Sequence, residues 1–161
     1  MSTPDPTESN RWRPLFELLR RLDGEIEQVY VDAGFTEFRS RFTMPLVRLS
    51  RRGAMSIKAL AAECDVTHSA MSQTVTAMRK AGLVDSVTDP ADGRARLIAL
   101  TPEATPIVEL GEAEWAATEA ALEELEAETP YPMSRLVGDI EAALGRRSFT
   151  ERLRSQMEGQ S

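Results

Sequence analysis

Cysteine and histidine are almost absent from this 161-residue chain, which has one of each, Cys64 and His68. A single cysteine cannot form an internal disulfide, and one cysteine with one histidine cannot supply the ligand cluster of a zinc site. We therefore expect no metal and no cofactor. The sequence also lacks the nucleophile elbow and the spare histidine of a Ser–His–Asp site, so we expect that the protein is not an enzyme.

Long apolar runs are missing as well. No stretch approaches the roughly 18 apolar residues of a membrane-spanning helix. The polar start of the chain, MSTPDPTESNRWRP, has no apolar segment of the kind that a signal peptide contains. Together with the lone cysteine, these absences predict a cytoplasmic protein without a membrane partner.

Positive charge is scarce overall, because 19 Lys and Arg face 26 Asp and Glu, for a net charge of −7. The distribution is uneven, however. Residues 48–98 contain eight basic and five acidic side chains, a local balance of +3 that leaves −10 for the rest. A polyanion responds to the nearest face rather than to the net charge, so the middle of the chain is the candidate nucleic-acid region. Ordinary scatter of charges is the alternative.

Apolar residues at helical spacing predict helices on both sides of this middle region. The predicted helices cover residues 12–33, 37–52, 101–128 and 133–146, with a short one after residue 148. Gly34 suits the end of the first helix. Pro45 should break the second, with Thr43 capping the restart, and Thr101 should cap the third.

The flanking helices carry more apolar surface than a small middle unit can cover, which predicts a two-fold homodimer. The predicted organisation is a disordered tail (residues 1–10), an N-terminal dimerisation helix (11–36), a DNA-binding domain (37–100) and C-terminal dimerisation helices (101–161).

Residues 55–83 have the pattern of two short helices joined by a tight turn. Ser56 and Thr67 can each cap a helix, and Asp65 tolerates the left-handed backbone that such a turn needs. The second helix should bury one apolar stripe, with a further apolar residue packing at each end. The stripe is Ala70, Met71, Val75 and Met78, and the end residues are Val66 and Leu83.

The outer face of this second helix carries short or medium polar side chains and no acid. Its candidate DNA-reading residues are Thr67, His68, Ser69, Ser72, Gln73 and Thr76. Glutamine pairs bidentately with adenine, Ser and Thr adapt to several base edges, and a threonine methyl can meet a thymine methyl. Candidates for phosphate contacts are Arg79, Lys80, Arg39 and Arg52. The alternative is an ordinary solvated surface, although such surfaces usually carry Glu, Asp and Lys.

Two short strand patterns, residues 84–87 and 96–100, enclose the turn-forming sequence Asp89-Pro90-Ala91-Asp92-Gly93. Arg94 and Arg96 would share one face of an extended strand, and Asp92 could hold Arg94 in position. An arginine on a hairpin beside a reading helix suits entry into a minor groove. A plain surface hairpin with solvated arginines is the alternative.

The strings CDVTHSAMSQTVTAMRKAGLV and TDPADGRARLIALT, with flanking helices, resemble the MarR family of winged-helix transcriptional regulators. The resemblance covers most of the chain, and AGLV followed by a DGR-type wing is its most specific part. It implies a dimeric regulator, often a repressor, on a pseudo-palindromic operator, which a small aromatic or phenolic molecule commonly releases. Pro45 departs from the simple family pattern. The matching recognition positions are His68, Ser69, Ser72, Gln73 and Thr76, and the wing arginine is Arg94, supported by Asp92.

The predicted fold is therefore mainly α with a small β-hairpin wing, a winged helix-turn-helix domain flanked by long dimerisation helices. Aromatic residues at helical spacing are more often core, but five are candidates for an effector pocket: Trp12, Phe16, Phe38, Phe42 and Trp115. Cys64 lies on an apolar helix face, where a thiol stays protonated, which disfavours a redox switch. Two further functions stay open, a protein-interaction module without DNA binding and a ligand-sequestering or redox protein.

Overall fold

The computed structural model of the protein describes residues 10–159. Within them the elements run, in chain order, α1 (Arg13–Asp32), α2 (Thr43–Arg52), α3 (Ile57–Glu63), α4 (His68–Lys80), β1 (Val84–Thr88), β2 (Arg96–Leu100), α5 (Thr105–Ala127), α6 (Met133–Arg146) and α7 (Phe149–Glu158). This confirms the predicted fold class. Of the predicted tail, only Asn10 falls among the described residues, where its side-chain oxygen accepts the Trp12 N–H at 3.0 Å.

Three helices end in the same way, each with its own loop closed by a hydrogen bond across six residues. After each helix one residue adopts a left-handed backbone conformation. The residues there are Gly34 after α1, Asp65 after α3 and Gly82 after α4, with φ of 94°, 51° and 73°. After α1 the Phe35 N–H donates back to the Tyr30 carbonyl at 2.8 Å, and α3 and α4 close likewise. The predicted stop at Gly34 and the left-handed Asp65 are both confirmed.

Pro45 was expected to break or restart a helix over residues 37–52, and a helix does begin just before it. Residues 37–39 are not helical, a 3-10 turn covers Ser40–Phe42, and α2 begins at Thr43, two residues before Pro45. The missing proline N–H falls in the first turn, where no helix carbonyl is available to accept it. Thr43 was expected to cap this helix, which is wrong. It is the first helical residue, and its hydroxyl lies 3.3 Å from the Tyr30 hydroxyl in the core.

The cap expected from Thr101 is also wrong. A 3-10 turn, Pro102–Ala104, precedes α5, and the Thr101 side chain makes no cap hydrogen bond. Its hydroxyl donates instead to the Gly82 carbonyl at 2.6 Å. Thr101 thus ties the end of the hairpin to the turn that leaves α4.

Strands β1 and β2 form an antiparallel hairpin with Val84 opposite Leu100 and Thr88 opposite Arg96. An isolated bridge pairs Met55 with Ile98, so the segment before α3 adds a short third edge to the hairpin. Because Ile98 is buried in the core, this contact fixes the hairpin beside the α3–α4 pair.

One hydrophobic core joins α1 to α4, the hairpin and the start of α5. Tyr30 stacks on Phe38 with ring centroids 3.5 Å apart. The Tyr30 hydroxyl donates to a carboxylate oxygen of Glu114 at 3.0 Å. At Gly111 an added Cβ would lie 3.3 Å from the Tyr30 hydroxyl oxygen, so glycine leaves room for this buried polar contact. The core therefore includes one polar link between α1 and α5.

The described residues divide into two compact units, one ending at Trp115 and one beginning at Ala116. In the second unit, α6 is anchored by Glu126, which accepts the Ser134 N–H and hydroxyl at 3.0 Å each. A capping box of Ser148 and Glu151 begins α7. The domain boundaries predicted at residues 36 and 100 stay predictions.

Large apolar side chains remain exposed in each unit. Helices α6 and α7 bury none of their residues. The exposed apolar side chains of these two helices are Met133, Leu136, Val137, Phe149, Leu153 and Met157. In the first unit, the exposed apolar side chains include Phe16 and Leu19 of α1 and Trp12 just before it.

Candidate nucleic-acid interface

Helices α3 and α4 form a helix-turn-helix whose ends are set by local hydrogen bonds. The Ser56 hydroxyl oxygen accepts the Ala59 N–H at 3.1 Å, which starts α3. The Thr67 hydroxyl oxygen accepts the Ala70 N–H at 3.2 Å, which starts α4. Both caps were predicted from the sequence and are confirmed. They satisfy amide groups that a helix start otherwise leaves unpaired.

The buried face of α4 differs from the prediction by one position. Met71, Val75 and Met78 are buried as expected, but Ala70 is exposed and Thr74 is buried in its place. Thr74 offsets the burial of its hydroxyl by donating to the Ala70 carbonyl at 3.0 Å. The steps from Met71 to positions 74, 75 and 78 follow helical geometry, so the helix phase rather than hydrophobicity decides which side chain is inside.

Val66 is also more exposed than the sequence predicted. It was expected to pack at the start of α4, yet 44% of its surface is accessible, whereas Leu83 at the other end is buried as expected. Val66 precedes the cap residue Thr67, so its side chain lies beside the N-terminal end of the candidate reading face.

The outer face of α4 is exposed along the positions named from the sequence. Thr67, His68, Ser69, Gln73 and Thr76 are exposed, and Ser72 is half-buried. The Thr76 hydroxyl donates to the Ser72 carbonyl at 2.9 Å. The face therefore offers amide, hydroxyl, imidazole and methyl groups to a partner, with no acidic side chain.

The hairpin tip is built by Asp92 and the residues that follow it. An Asp92 carboxylate oxygen accepts the backbone N–H of Arg94 at 3.0 Å, so Asp92 holds the Arg94 backbone rather than its guanidinium. Arg94 lies in the turn before β2 rather than in a strand, so the expectation that strand alternation puts it on one face with Arg96 is wrong. The Arg96 guanidinium donates to the Thr88 hydroxyl at 3.0 Å across the hairpin. Arg94 is exposed at the tip.

The four candidate phosphate contacts fall into two pairs. Arg79 and Lys80 are exposed in the last turn of α4, next to the outer face. Arg52 is ion-paired with Glu63 at 2.8 Å, and the Arg39 guanidinium donates to the Phe38 carbonyl at 2.6 Å. The geometry thus brings Arg79 and Lys80 to the helix that carries the outer face and gives Arg39 and Arg52 partners within the protein.

Comparison with known proteins decides the family of this segment. Residues 46–95 match the sequence model described as the MarR family, which takes in most of α2, both helices of the helix-turn-helix, β1 and the hairpin tip. This segment therefore has the sequence pattern of the MarR family.

Solved structures of MarR-family regulators share the fold of this chain. AbsC, a MarR family transcriptional regulator from Streptomyces coelicolor, is 22% identical with a TM-score of 0.56, over 96% of this chain and 99% of that one. A MarR protein from Peptoclostridium difficile is 17% identical with a TM-score of 0.57, over 96% and 97%. BpsR from Bordetella bronchiseptica, whose DNA binding is regulated by 6-hydroxynicotinic acid, is 17% identical with a TM-score of 0.58, over 89% and 97%. No curated protein sequence matches the chain.

The five aromatic effector candidates differ in their burial. Phe38 and Phe42 meet edge to face with centroids 5.7 Å apart, but both are buried in the core. Trp12, Phe16 and Trp115 are about half exposed. A cavity of about 260 Å³ lies beside the loop after α1 and shares only Phe38 with the candidates. Its lining is Gly34, Phe35, Thr36, Glu37, Phe38, Ala81, Leu83, Glu103 and Ile107.

Cys64 ends α3 with its side chain buried in the core of the MarR-family segment. Burial raises the pKa of its thiol, and the nearby Arg48 charge only partly opposes this. The thiol therefore stays protonated at neutral pH, as expected from its position on an apolar face. Across residues 10–159 no cluster of His, Cys, Asp and Glu is placed to hold a metal, and no helix is long and apolar enough to span a membrane.

Proposed function

We propose that this protein is a sequence-specific transcriptional repressor of the MarR family that binds a pseudo-palindromic operator as a homodimer and is released by a small aromatic effector. One observation carries the proposal, the outer face of α4. This face is exposed, polar and free of acidic side chains on a helix whose start is capped and whose other face is buried. Such a helix suits insertion into a major groove, where its N-terminal residues meet base edges.

Charges around α4 support the same orientation on DNA. Arg79 and Lys80 follow the outer face in the last turn of the helix, where they would contact phosphates. Arg94, at the exposed hairpin tip, would enter the neighbouring minor groove, where the negative potential is concentrated. Arg96, tied to Thr88, would stay beside the phosphates at the groove edge.

The exposed apolar faces of α1, α6 and α7 support the homodimer. Soluble monomers rarely leave large apolar patches uncovered, and a second copy offers a complementary surface by symmetry. A two-fold dimer presents two copies of α4 to successive major grooves, about one helical turn apart. The pseudo-palindromic operator follows from that geometry.

The cavity beside the loop after α1 supports the effector. Phe35, Phe38, Leu83 and Ile107 are among the residues that line it, and apolar side chains suit a small aromatic ring. It touches both the residues after α4 and the start of α5, so a bound molecule could change how α4 is held. Glu37 and Glu103 in the lining would repel the carboxylate of a ligand such as 6-hydroxynicotinic acid, which regulates BpsR. The probe is therefore phenol, a neutral aromatic molecule. We expect it to lower operator affinity, and Thr36→Trp, which narrows the cavity, to abolish that response but keep DNA binding.

The test of DNA recognition is selection of genomic fragments by the purified protein at moderate salt. We expect enrichment of an inverted repeat with half-site centres about 10 base pairs apart. Gln73→Ala, on the outer face, should lose enrichment, whereas Gln28→Ala, on exposed α1, should keep it. If wild type enriches nothing over random DNA, the proposal fails and the protein-interaction alternative, which the net charge of −7 allows, takes its place.

A further inference from the structure

The first three turns of α4 contain no charged residue. From His68 to Met78 there is no Arg, Lys, Asp or Glu. Arginine and lysine are the commonest partners of guanine in the major groove, and carboxylates accept from cytosine. A helix without these basic and acidic side chains lacks the strongest contacts to G·C pairs.

A row of three exposed residues runs along this part of the helix. Ala70, Gln73 and Thr76 are spaced by three residues, and all three are exposed. Side chains three apart are neighbours on a helix surface, so the row is continuous. Gln73 lies at its centre, and a glutamine amide matches the adjacent donor and acceptor of adenine.

The two outer members of the row present methyl groups. The Thr76 hydroxyl donates its proton to the Ser72 carbonyl at 2.9 Å, so it has no proton left for a base. Ala70 is held in the first turn by its N–H bond to the Thr67 hydroxyl oxygen, and its side chain is a methyl group alone. The row therefore offers methyl, amide and methyl groups in that order, and the Thr76 hydroxyl oxygen can act only as an acceptor.

We propose that this row reads A·T base pairs in the major groove, with Gln73 on an adenine and the Ala70 and Thr76 methyl groups on the C5-methyl groups of two thymines. The inference rests on the proposed DNA-binding function and names the base composition that it selects. Thymine differs from uracil only by that methyl group, so the two bases separate a methyl contact from every hydrogen bond.

The experiment replaces each thymine of the selected half-site, one at a time, by uracil and measures affinity at fixed salt. Burying one methyl group stabilises by about 0.8 kcal/mol, so each contacted thymine should bind about fourfold more weakly as uracil. Two positions should respond and the others should not. Gln73→Ala should lose about tenfold or more of the preference for adenine at one position between them.

Two substitutions of Thr76 separate its methyl from its hydroxyl. Thr76→Val keeps a methyl and removes the hydroxyl, and we expect it to retain the preference for thymine over uracil. Thr76→Ser keeps the hydroxyl that bonds to Ser72 and removes the methyl, and we expect it to bind both duplexes equally at one position. Ala70→Gly should likewise bind the thymine and uracil duplexes equally at the other position. Each protein substitution combined with a thymine-to-uracil replacement forms a double-mutant cycle that isolates one methyl contact.

Three results would count against the inference. Uracil could leave affinity unchanged at every position, Thr76→Val could behave like Thr76→Ser, or the selected half-site could present G·C where Gln73 acts. In each case sequence-specific binding would persist, so the proposed function would be retained and the inference that α4 recognises A·T base pairs would be rejected. Absence of any specific DNA binding would overturn both.

Discussion

At the hairpin tip the backbone N–H of Arg94 donates to an Asp92 carboxylate oxygen, and backbone hydrogen bonds of Ala95 close the same turn. If the Arg94 guanidinium lies in a minor groove, replacing it should remove one counterion-releasing contact. We predict that Arg94→Ala weakens DNA binding and lowers the slope of log affinity against log salt by about one unit. Fluorescence anisotropy over a range of salt concentrations measures both quantities.

Arg94→Lys is the matched control, because it keeps the charge and loses the planar fork. It should restore most of the salt slope. An Arg94→Ala protein with unchanged affinity and slope would exclude the wing contact.

Tyr30 is a second residue whose contribution depends on one atom, its hydroxyl oxygen. Its fully buried hydroxyl donates to Glu114 and lies beside Thr43, joining three helices of the first unit. We predict that Tyr30→Phe lowers the free energy of unfolding by about 1.5–3 kcal/mol, the range for a hydrogen bond to a charged group. Urea denaturation measures it. Tyr131→Phe, at a tyrosine that is 75% exposed, should change stability by less than about 0.5 kcal/mol.

Because of the Tyr30 hydroxyl, we also expect the stability of the protein to depend on pH. Burial raises the pKa of Tyr30 above its usual range, and the Glu114 charge adds to this. A raised pKa means that the folded state holds the proton more tightly, so this stabilisation is complete below the unfolded pKa of about 10 and falls as pH rises above it. Wild type should therefore exceed Tyr30→Phe in stability by a constant amount at neutral pH and by less above pH 10. A difference that does not shrink there would contradict the assignment.

At the scale of elements, the ends of the helices follow from a few neighbouring residues. Gly82 ends α4 with φ of 73°, and an added Cβ would meet no atom within 4 Å. We predict that Gly82→Ala costs about 1–2 kcal/mol of stability from backbone strain alone. Thermal or urea unfolding measures the change.

Gly24 supplies the control of opposite sign. It lies within α1, and a Cβ there also meets nothing within 4 Å. Gly24→Ala should stabilise by about 0.5–1 kcal/mol, because alanine is the better helix former. Equal stability changes for Gly82→Ala and Gly24→Ala would show that backbone conformation does not control the effect of the substitutions.

The buried and exposed faces of the elements were only partly predicted. In α4 the apolar Ala70 is exposed and the polar Thr74 is buried. Helical phase starting from Met71 would have indicated this, but a choice by hydrophobicity did not. Arg94 was misplaced for a similar reason, since strand alternation was extended into residues that form the turn.

At the scale of the whole molecule, the net charge of −7 and the proposed DNA binding are compatible because the charge is uneven. The acidic excess lies outside residues 48–98, which contain the candidate interface. Repulsion between DNA and the remaining surface would disfavour other orientations on the duplex. The proposed homodimer is also a property of the whole molecule.

We predict that Leu136→Glu, on the exposed apolar face of α6, shifts the protein from dimer to monomer and weakens operator binding at equal protomer concentration. A buried unpaired charge is costly at an apolar interface. Sedimentation equilibrium measures the mass. Arg135→Glu changes the charge by more, on the opposite side of the helix, and should remain dimeric. A monomeric wild type, or a dimeric Leu136→Glu, would remove the homodimer from the proposal.

Features that depend on residues three to five positions apart could be predicted from the sequence. The caps at Ser56 and Thr67 and the left-handed Asp65 follow from local hydrogen bonds and backbone preferences. These interactions form within one turn of chain, so a linear pattern contains the necessary information.

The tertiary structure alone decided which partner each side chain meets when several are available. Thr43 and Thr101 have the residue type of caps, but their hydroxyls bond to Tyr30 and Gly82, which are 13 and 19 positions away. Phe38 has the type of a ligand-binding residue and stacks on Tyr30 in the core. Burial depends on contacts between distant segments, and the free energy of those contacts outweighs a local preference of about 1 kcal/mol.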